Sequence, residues 1–120
     1  MAEILLVEDD PRLRTIAEKV LVRAGHHLTV AVDGEAAVEQ ALAEPHEIVL
    51  MDLSLPVMDG LEATRRIKAA LPDLPVVAVT AHAMVGDRER ALAAGCDGFL
   101  SKPYTIPELL ECVSGAIRSE

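Results

Sequence analysis

The chain has 120 residues, 51% of them apolar, and a formal net charge of −9. That is enough for one domain, expected over residues 1–120, whose core buries roughly two-thirds of the unfolded surface. The acid excess excludes a wide nucleic-acid surface, which needs clustered Lys and Arg, and apolar runs of four to six residues are too short for membrane insertion.

Met1-Ala2-Glu3 leads straight into the first apolar run with no charged leader or signal core, which points to a cytoplasmic location. That run, Ile4-Leu5-Leu6-Val7, reads as a strand over Glu3–Val7 and ends in the acids Glu8-Asp9-Asp10. A helix follows. It has Pro11 near its start, Gly25 near its end, and a stripe of Leu13, Ile16, Ala17, Val20, Leu21 and Ala24 expected to face a sheet. Its basic residues Arg12, Arg14, Lys19 and Arg23 read as a solvated face, as do Arg65, Arg66 and Lys68 further on.

The second strand is expected over His27–Val32, and the helix after Asp33-Gly34 should bury Ala37, Val38, Ala41 and Leu42. A third strand over Glu47–Met51 delivers Asp52 at its end, and a third helix runs from Leu61 until Pro72 and Pro75 mark the next loop. The fourth strand, Val76–Thr80, closes on a hydroxyl. The fourth helix, between Met84 and Gly95, carries Gly86, Asp87, Arg88, Glu89 and Arg90 but only one large aliphatic residue, Leu92, in its second half, and should be the most weakly held element. After a fifth strand over Gly98–Leu100, Thr105 and Glu108 can form a capping box for a last helix with the stripe Leu109, Leu110, Val113, Ala116 and Ile117.

Five alternations of this length predict an α/β fold, a (βα)5 doubly wound parallel five-stranded sheet of flavodoxin-like order 2-1-3-4-5 with right-handed crossovers. In that order strands one and three are neighbours, and a crevice opens at their C-terminal ends. Glu8, Asp9 and Asp52 would meet there. Carboxylates about 4 Å apart repel by roughly 4 kcal/mol at an effective dielectric of 20, so the site suits a hard divalent cation, Mg²⁺ or alternatively Mn²⁺. A nucleotide or flavin phosphate is disfavoured, because the first strand-to-helix turn is acidic rather than Gly-rich. Thr80 and Lys102 supply a hydroxyl and an ammonium at neighbouring strand ends. A carboxylate nucleophile, a metal, a hydroxyl donor and a fixed cation are the parts needed to accept a phosphoryl group in line, and the product would be an aspartyl phosphate.

With these residues in this order, the chain resembles the receiver domain of two-component response regulators (the CheY-like superfamily) over essentially its whole length. Glu8 and Asp9 match the family's acidic pair, Asp52 its phosphoacceptor, Thr80 its switch hydroxyl and Lys102-Pro103 its Lys-Pro dipeptide, usually with a cis bond at the Pro103 position. The spacing Asp52-x3-Pro56-x3-Gly60 matches the loop after the phosphoacceptor, where the resemblance makes the backbone carbonyl of Ser54 a metal ligand. It also implies that Phe99 turns inward as Thr80 is drawn to the phosphate, altering the surface of the fourth helix, fifth strand and fifth helix. Ser54 and His82 stand at the positions that tune acyl phosphate hydrolysis, with His82 expected to crowd the attacking water.

The expected role is therefore a signalling switch in a phosphorelay rather than an enzyme acting on other substrates, though with intrinsic autophosphorylation and autodephosphorylation. The resemblance implies a sensor histidine kinase or histidine phosphotransfer protein as phosphodonor and a downstream protein target, with no direct nucleic-acid contact. The stretch Thr80-Ala81-His82-Ala83-Met84 is similar to single-domain cell-cycle regulators and to receivers of hybrid histidine kinases, and no output domain is expected. The alternatives are a receiver excised from a hybrid kinase and an aspartyl-phosphate phosphatase of the haloacid-dehalogenase kind. The latter uses a second Asp two residues after its nucleophile, where this chain has Ser54. Cys96 and Cys112 lack CxxC spacing and read as packing thiols, while His26, His27 and His46 lack metal-ligand spacing and read as exposed.

Overall fold

The computed structural model describes residues 2–53, 55, 58–80 and 86–118. Strands β1 (Glu3–Val7), β2 (His27–Ala31), β3 (Ile48–Asp52), β4 (Val76–Thr80) and β5 (Gly98–Ser101) alternate with helices α1 (Pro11–Arg23), α2 (Gly34–Ala43), α3 (Gly60–Ala70), α4 (Asp87–Ala94) and α5 (Ile106–Arg118). The sheet is parallel throughout in the order β2-β1-β3-β4-β5, as the alternation predicts. Two boundaries differ in a way that matters. β2 stops at Ala31, leaving Val32 exposed, and β3 is displaced by one residue so that Asp52 is its last residue and Glu47 precedes it. Asp52 pairs in register with Val79 of β4, so the strand itself sets its position.

Helices on both sheet faces explain why β3 and β4 are apolar without alternation. Leu5, Val7, Val49, Met51, Val76 and Ala78 pack on the side of α2, α3 and α4. Ile4, Leu6, Ile48, Leu50, Val77 and Val79 pack on the side of α1 and α5. The expected helix stripes are narrower in the fold. Ala17 and Leu21 are buried in α1, but Leu13, Ile16 and Ala24 are exposed, as is Leu42 in α2. An edge helix covering two or three strands meets the sheet along a line, which a short run of small residues fills. His46 also departs from expectation, since it is half-buried and neither ring nitrogen has a hydrogen-bond partner among the described residues. Lys68, read as solvated, donates from Nζ to the Leu74 carbonyl and to Asp97 Oδ2, both at 2.9 Å, and so joins α3 to the start of β5.

Helix starts follow local chemistry. Asp10, Asp33 and Asp59 accept backbone N–H bonds at the N-termini of α1, α2 and α3, and Thr105 and Glu108 exchange the two bonds of the expected capping box. Each cap contributes about 1 kcal/mol. α4 has none: its N-cap is Gly86 at φ +95°, without a side-chain cap bond. Among the described residues it buries only Ala91 and Ala94 and leaves Leu92 exposed, so its apolar contribution is small, as its composition implies. Met84 and Val85, placed in this helix by the sequence, lie outside the described residues.

The chain leaving Asp52 passes between two glycines. A Cβ on Gly60 would collide with the Asp52 carbonyl oxygen and stand 2.7 Å from Leu53 Cα, and one on Gly34 would collide with the Met58 carbonyl. Gly60→Ala should therefore lower stability by about 1–3 kcal/mol in urea unfolding. Gly115→Ala, where nothing lies within 4 Å of the added methyl, should raise it by about 0.5–1 kcal/mol through helix propensity.

Candidate functional site

Three parallel strands end at one crevice, and each brings a polar group. β1 is followed by Glu8 and Asp9, β3 ends in Asp52 and β4 ends in Thr80. Glu8, Asp52 and Thr80 are buried, whereas Asp9 is exposed at the rim. One carboxylate oxygen from each of Glu8, Asp9 and Asp52 lies within 4.8 Å of the others. Unscreened by solvent, a pair at that distance repels by about 3.5 kcal/mol at an effective dielectric of 20.

Lys102, just beyond β5, enters this acidic site. Its Nζ donates to Glu8 Oε1 at 2.5 Å and lies 3.6 Å from Asp52 Oδ2. Burial draws the Lys102 pKa down, but the hydrogen bond to Glu8 and the charges of Asp52 and Glu8 outweigh it and leave the ammonium above the ordinary lysine value. Lys102 is thus a fixed cation. The peptide bond between Lys102 and Pro103 is cis, as the resemblance implies. Tyr104 packs on the α1 and α5 side of the core, and burial raises its phenol above the usual range.

The acids are held by bonds that motif reading does not reveal. The Asp10 N–H donates to Glu8 Oε2 at 3.3 Å, the Glu8 N–H donates to the Ala31 carbonyl at 3.1 Å, and Arg14 Nη1 donates to the Glu8 carbonyl at 3.2 Å. Arg14 had the helical spacing of a solvated residue. Its role comes from curling back over the first turn of α1, which spacing alone does not encode. Asp10, one place beyond the acidic pair, is the α1 N-cap and accepts from the Arg12 and Leu13 N–H groups. Phe99 sits opposite Ala78 in the β4–β5 register, half-buried against the α2, α3 and α4 side of the core. Ser54, Pro56 and His82 lie outside the described residues.

Three carboxylates against one ammonium leave a formal excess of two negative charges, and every donor atom is oxygen. This set fits Mg²⁺, which takes one or two carboxylates together with waters and phosphate oxygens.

The family model for the response regulator receiver domain matches residues 4–114. The chain belongs to the response regulator receiver domain family. Among relatives of this receiver, the rice (Oryza sativa subsp. japonica) two-component response regulator ORR41 is 42% identical over 113 residues, covering 91% of this chain and 89% of that protein. Hybrid signal transduction histidine kinase G of Dictyostelium discoideum is 39% identical over 112 residues, covering 89% of this chain but 3% of the kinase. The receiver spans about half of other curated relatives, such as MprA of Mycolicibacterium vanbaalenii, with 50% of that protein covered. The solved receiver domain of sensor histidine kinase PA1611 from Pseudomonas aeruginosa PAO1 superposes with a TM-score of 0.91 at 42% identity, with 97% of each chain covered. That structure has a magnesium ion coordinated in its active site cleft.

Among the described residues no helix of this receiver is long and apolar enough to cross a membrane. Mg²⁺ at ten times its dissociation constant should add about 1.4 kcal/mol to the unfolding free energy. Denaturation with and without the ion should show this gain in the wild-type chain and in Asp10→Asn, which keeps a capping side chain, and its loss in Asp9→Asn.

Proposed function

We propose that Asp52 is the phosphoacceptor of a two-component phosphorelay, taking a phosphoryl group from the phosphohistidine of a sensor kinase or histidine phosphotransfer protein. The observation that carries this reading is the meeting of a buried strand-end carboxylate with two further carboxylates and one ammonium. As a P–O bond forms to an Asp52 oxygen, the P–N bond to the donor imidazole breaks, and the imidazole nitrogen takes the electron pair. Hydrolysis later returns Asp52 and releases inorganic phosphate.

Glu8, Asp9 and Asp52 would hold Mg²⁺ or Mn²⁺. When bound, the ion would offset the charge of phosphoryl and carboxylate oxygens. Lys102 stands where its ammonium can shift from Glu8 toward the new phosphoryl oxygens, and its covalent attachment just after β5 leaves little reorganisation to be made during transfer. Thr80 at the end of β4 would offer its hydroxyl to the phosphoryl group.

Phe99 and α4 would provide the readout. A hydroxyl drawn toward Asp52 frees space beside β5 for the Phe99 ring, and α4, with no N-terminal side-chain cap and two small buried residues, is the element whose placement costs least to change. The surface of α4, β5 and α5 would thereby control binding of a downstream protein in the cytoplasm. The Ser54 carbonyl as metal ligand, and Ser54 and His82 as determinants of phosphoryl lifetime, rest on their sequence positions.

Intact mass after incubation with acetyl phosphate and Mg²⁺ should show a single phosphoryl adduct in the wild-type chain and none in Asp52→Asn. Lys102→Ala should retain the fold by circular dichroism and lower the initial phosphorylation rate by about 10²-fold or more, the scale for losing one charge-stabilising group. An adduct that persists in Asp52→Asn would place the acceptor elsewhere.

A further inference from the structure

A groove of about 1040 Å³ runs between β5, the face of α5 and the loop before β4. It shares no residue with the Glu8, Asp9 and Asp52 cluster. Its floor is apolar, with Val77, Leu100 and Ala116, and its rim carries Asp73, Glu108 and Glu111, with Asp97 at one end. None of the described lining residues is Lys, Arg or His. Asp97 is neutralised by Lys68 at 2.9 Å, and Glu108 accepts the Thr105 N–H. Asp73 and Glu111 are exposed, and their carboxylates have no partner among the described residues.

β5 is the last strand of the sheet and has β4 on one side only. Among the described residues no strand pairs with its other edge, where an extended chain could add, its main-chain groups giving affinity and its alternate side chains meeting the groove walls. A long-range field favouring cations comes from the whole chain at −9, and the exposed carboxylates of Asp73 and Glu111 add to it here.

We propose that this groove docks an extended, basic segment of a partner protein alongside β5, with Lys or Arg side chains against Asp73 and Glu111 and small apolar side chains on the floor. Phe99 also lines the groove. The docking of the segment stands on the groove itself. Its control by Asp52 rests on the switch proposed above.

The test uses a fluorescein-labelled nine-residue peptide alternating Lys and Val with blocked ends, a Glu-for-Lys control, and a Lys/Val peptide N-methylated at alternate residues to remove main-chain donors. With the ¹⁵N-labelled full chain at low salt, the Lys/Val peptide should shift the amides of Gly98, Leu100 and Glu111. It should also bind at least tenfold more tightly than either control. The Asp73→Lys/Glu111→Lys variant, whose exposed sites leave the core untouched, should weaken binding at least tenfold while circular dichroism stays unchanged. Equal binding by this variant, shifts centred on another acidic face, or equal affinity of the N-methylated peptide would overturn the proposal. Repeating the titration with Mg²⁺ and beryllofluoride separates the two ideas. An unchanged affinity there would sink the coupling to Asp52 and, with the shifts still at Gly98 and Leu100, support the docking site.

Discussion

The ammonium of Lys102, held between Glu8 and Asp52, is the interaction on which the site depends. Parallel strands ending together bring Glu8, Asp9 and Asp52 within 4.8 Å of one another, and like charges that close repel. A cation at 2.5 Å from one acid and 3.6 Å from another lets them stay together. It reduces the excess charge without cancelling it, and what is left suits a divalent ion. The sheet order makes this arrangement available, because β3 lies between β1 and β4 and β5 follows at the edge.

Rigidity and looseness are distributed around that centre. β1, β3 and β4 are buried on both faces, and the chain after Asp52 is confined by Gly34 and Gly60. Glu8 is bonded through its carboxylate, its carbonyl and its N–H. α4 is the opposite case, an eight-residue helix with alanines as its buried residues and a glycine N-cap. Its far end is better secured. The Gly95 cap lies against the Lys68 stem, and the Lys68 ammonium reaches Asp97. α4 is thus anchored at its C-terminal end and has no side-chain cap bond at its N-terminal end.

Much of the site was legible because the chemistry sits next to the pattern that places it. Glu8, Asp9, Asp52, Thr80 and Lys102 each lie within two residues of the end of an apolar run, so finding the strands also finds the strand ends. The capping box of Thr105 and Glu108 was equally readable, since its partners are three residues apart. Arg14, Lys68 and His46 were misread for a common reason. Each is defined by a partner or an enclosure outside its own element: Arg14 by the Glu8 carbonyl just after β1, Lys68 by Leu74 and Asp97, and His46 by partial burial in the loop before β3. Helical spacing reports which side chains share a face, but not how far the neighbouring sheet extends across it.

The sequence by itself determined the element order, the parallel doubly wound sheet, the family and the residue types gathered at the crevice, because strand length, period and terminal acids are local properties. Only the tertiary structure decided that Glu8 rather than Asp52 takes the shorter bond from Lys102, that Gly60 lies against the Asp52 carbonyl and Gly34 against the Met58 carbonyl, and that an acid-rimmed groove lies along β5. These depend on distances between separate elements of the fold. Such distances follow from packing all the elements at once, and no window of sequence contains them.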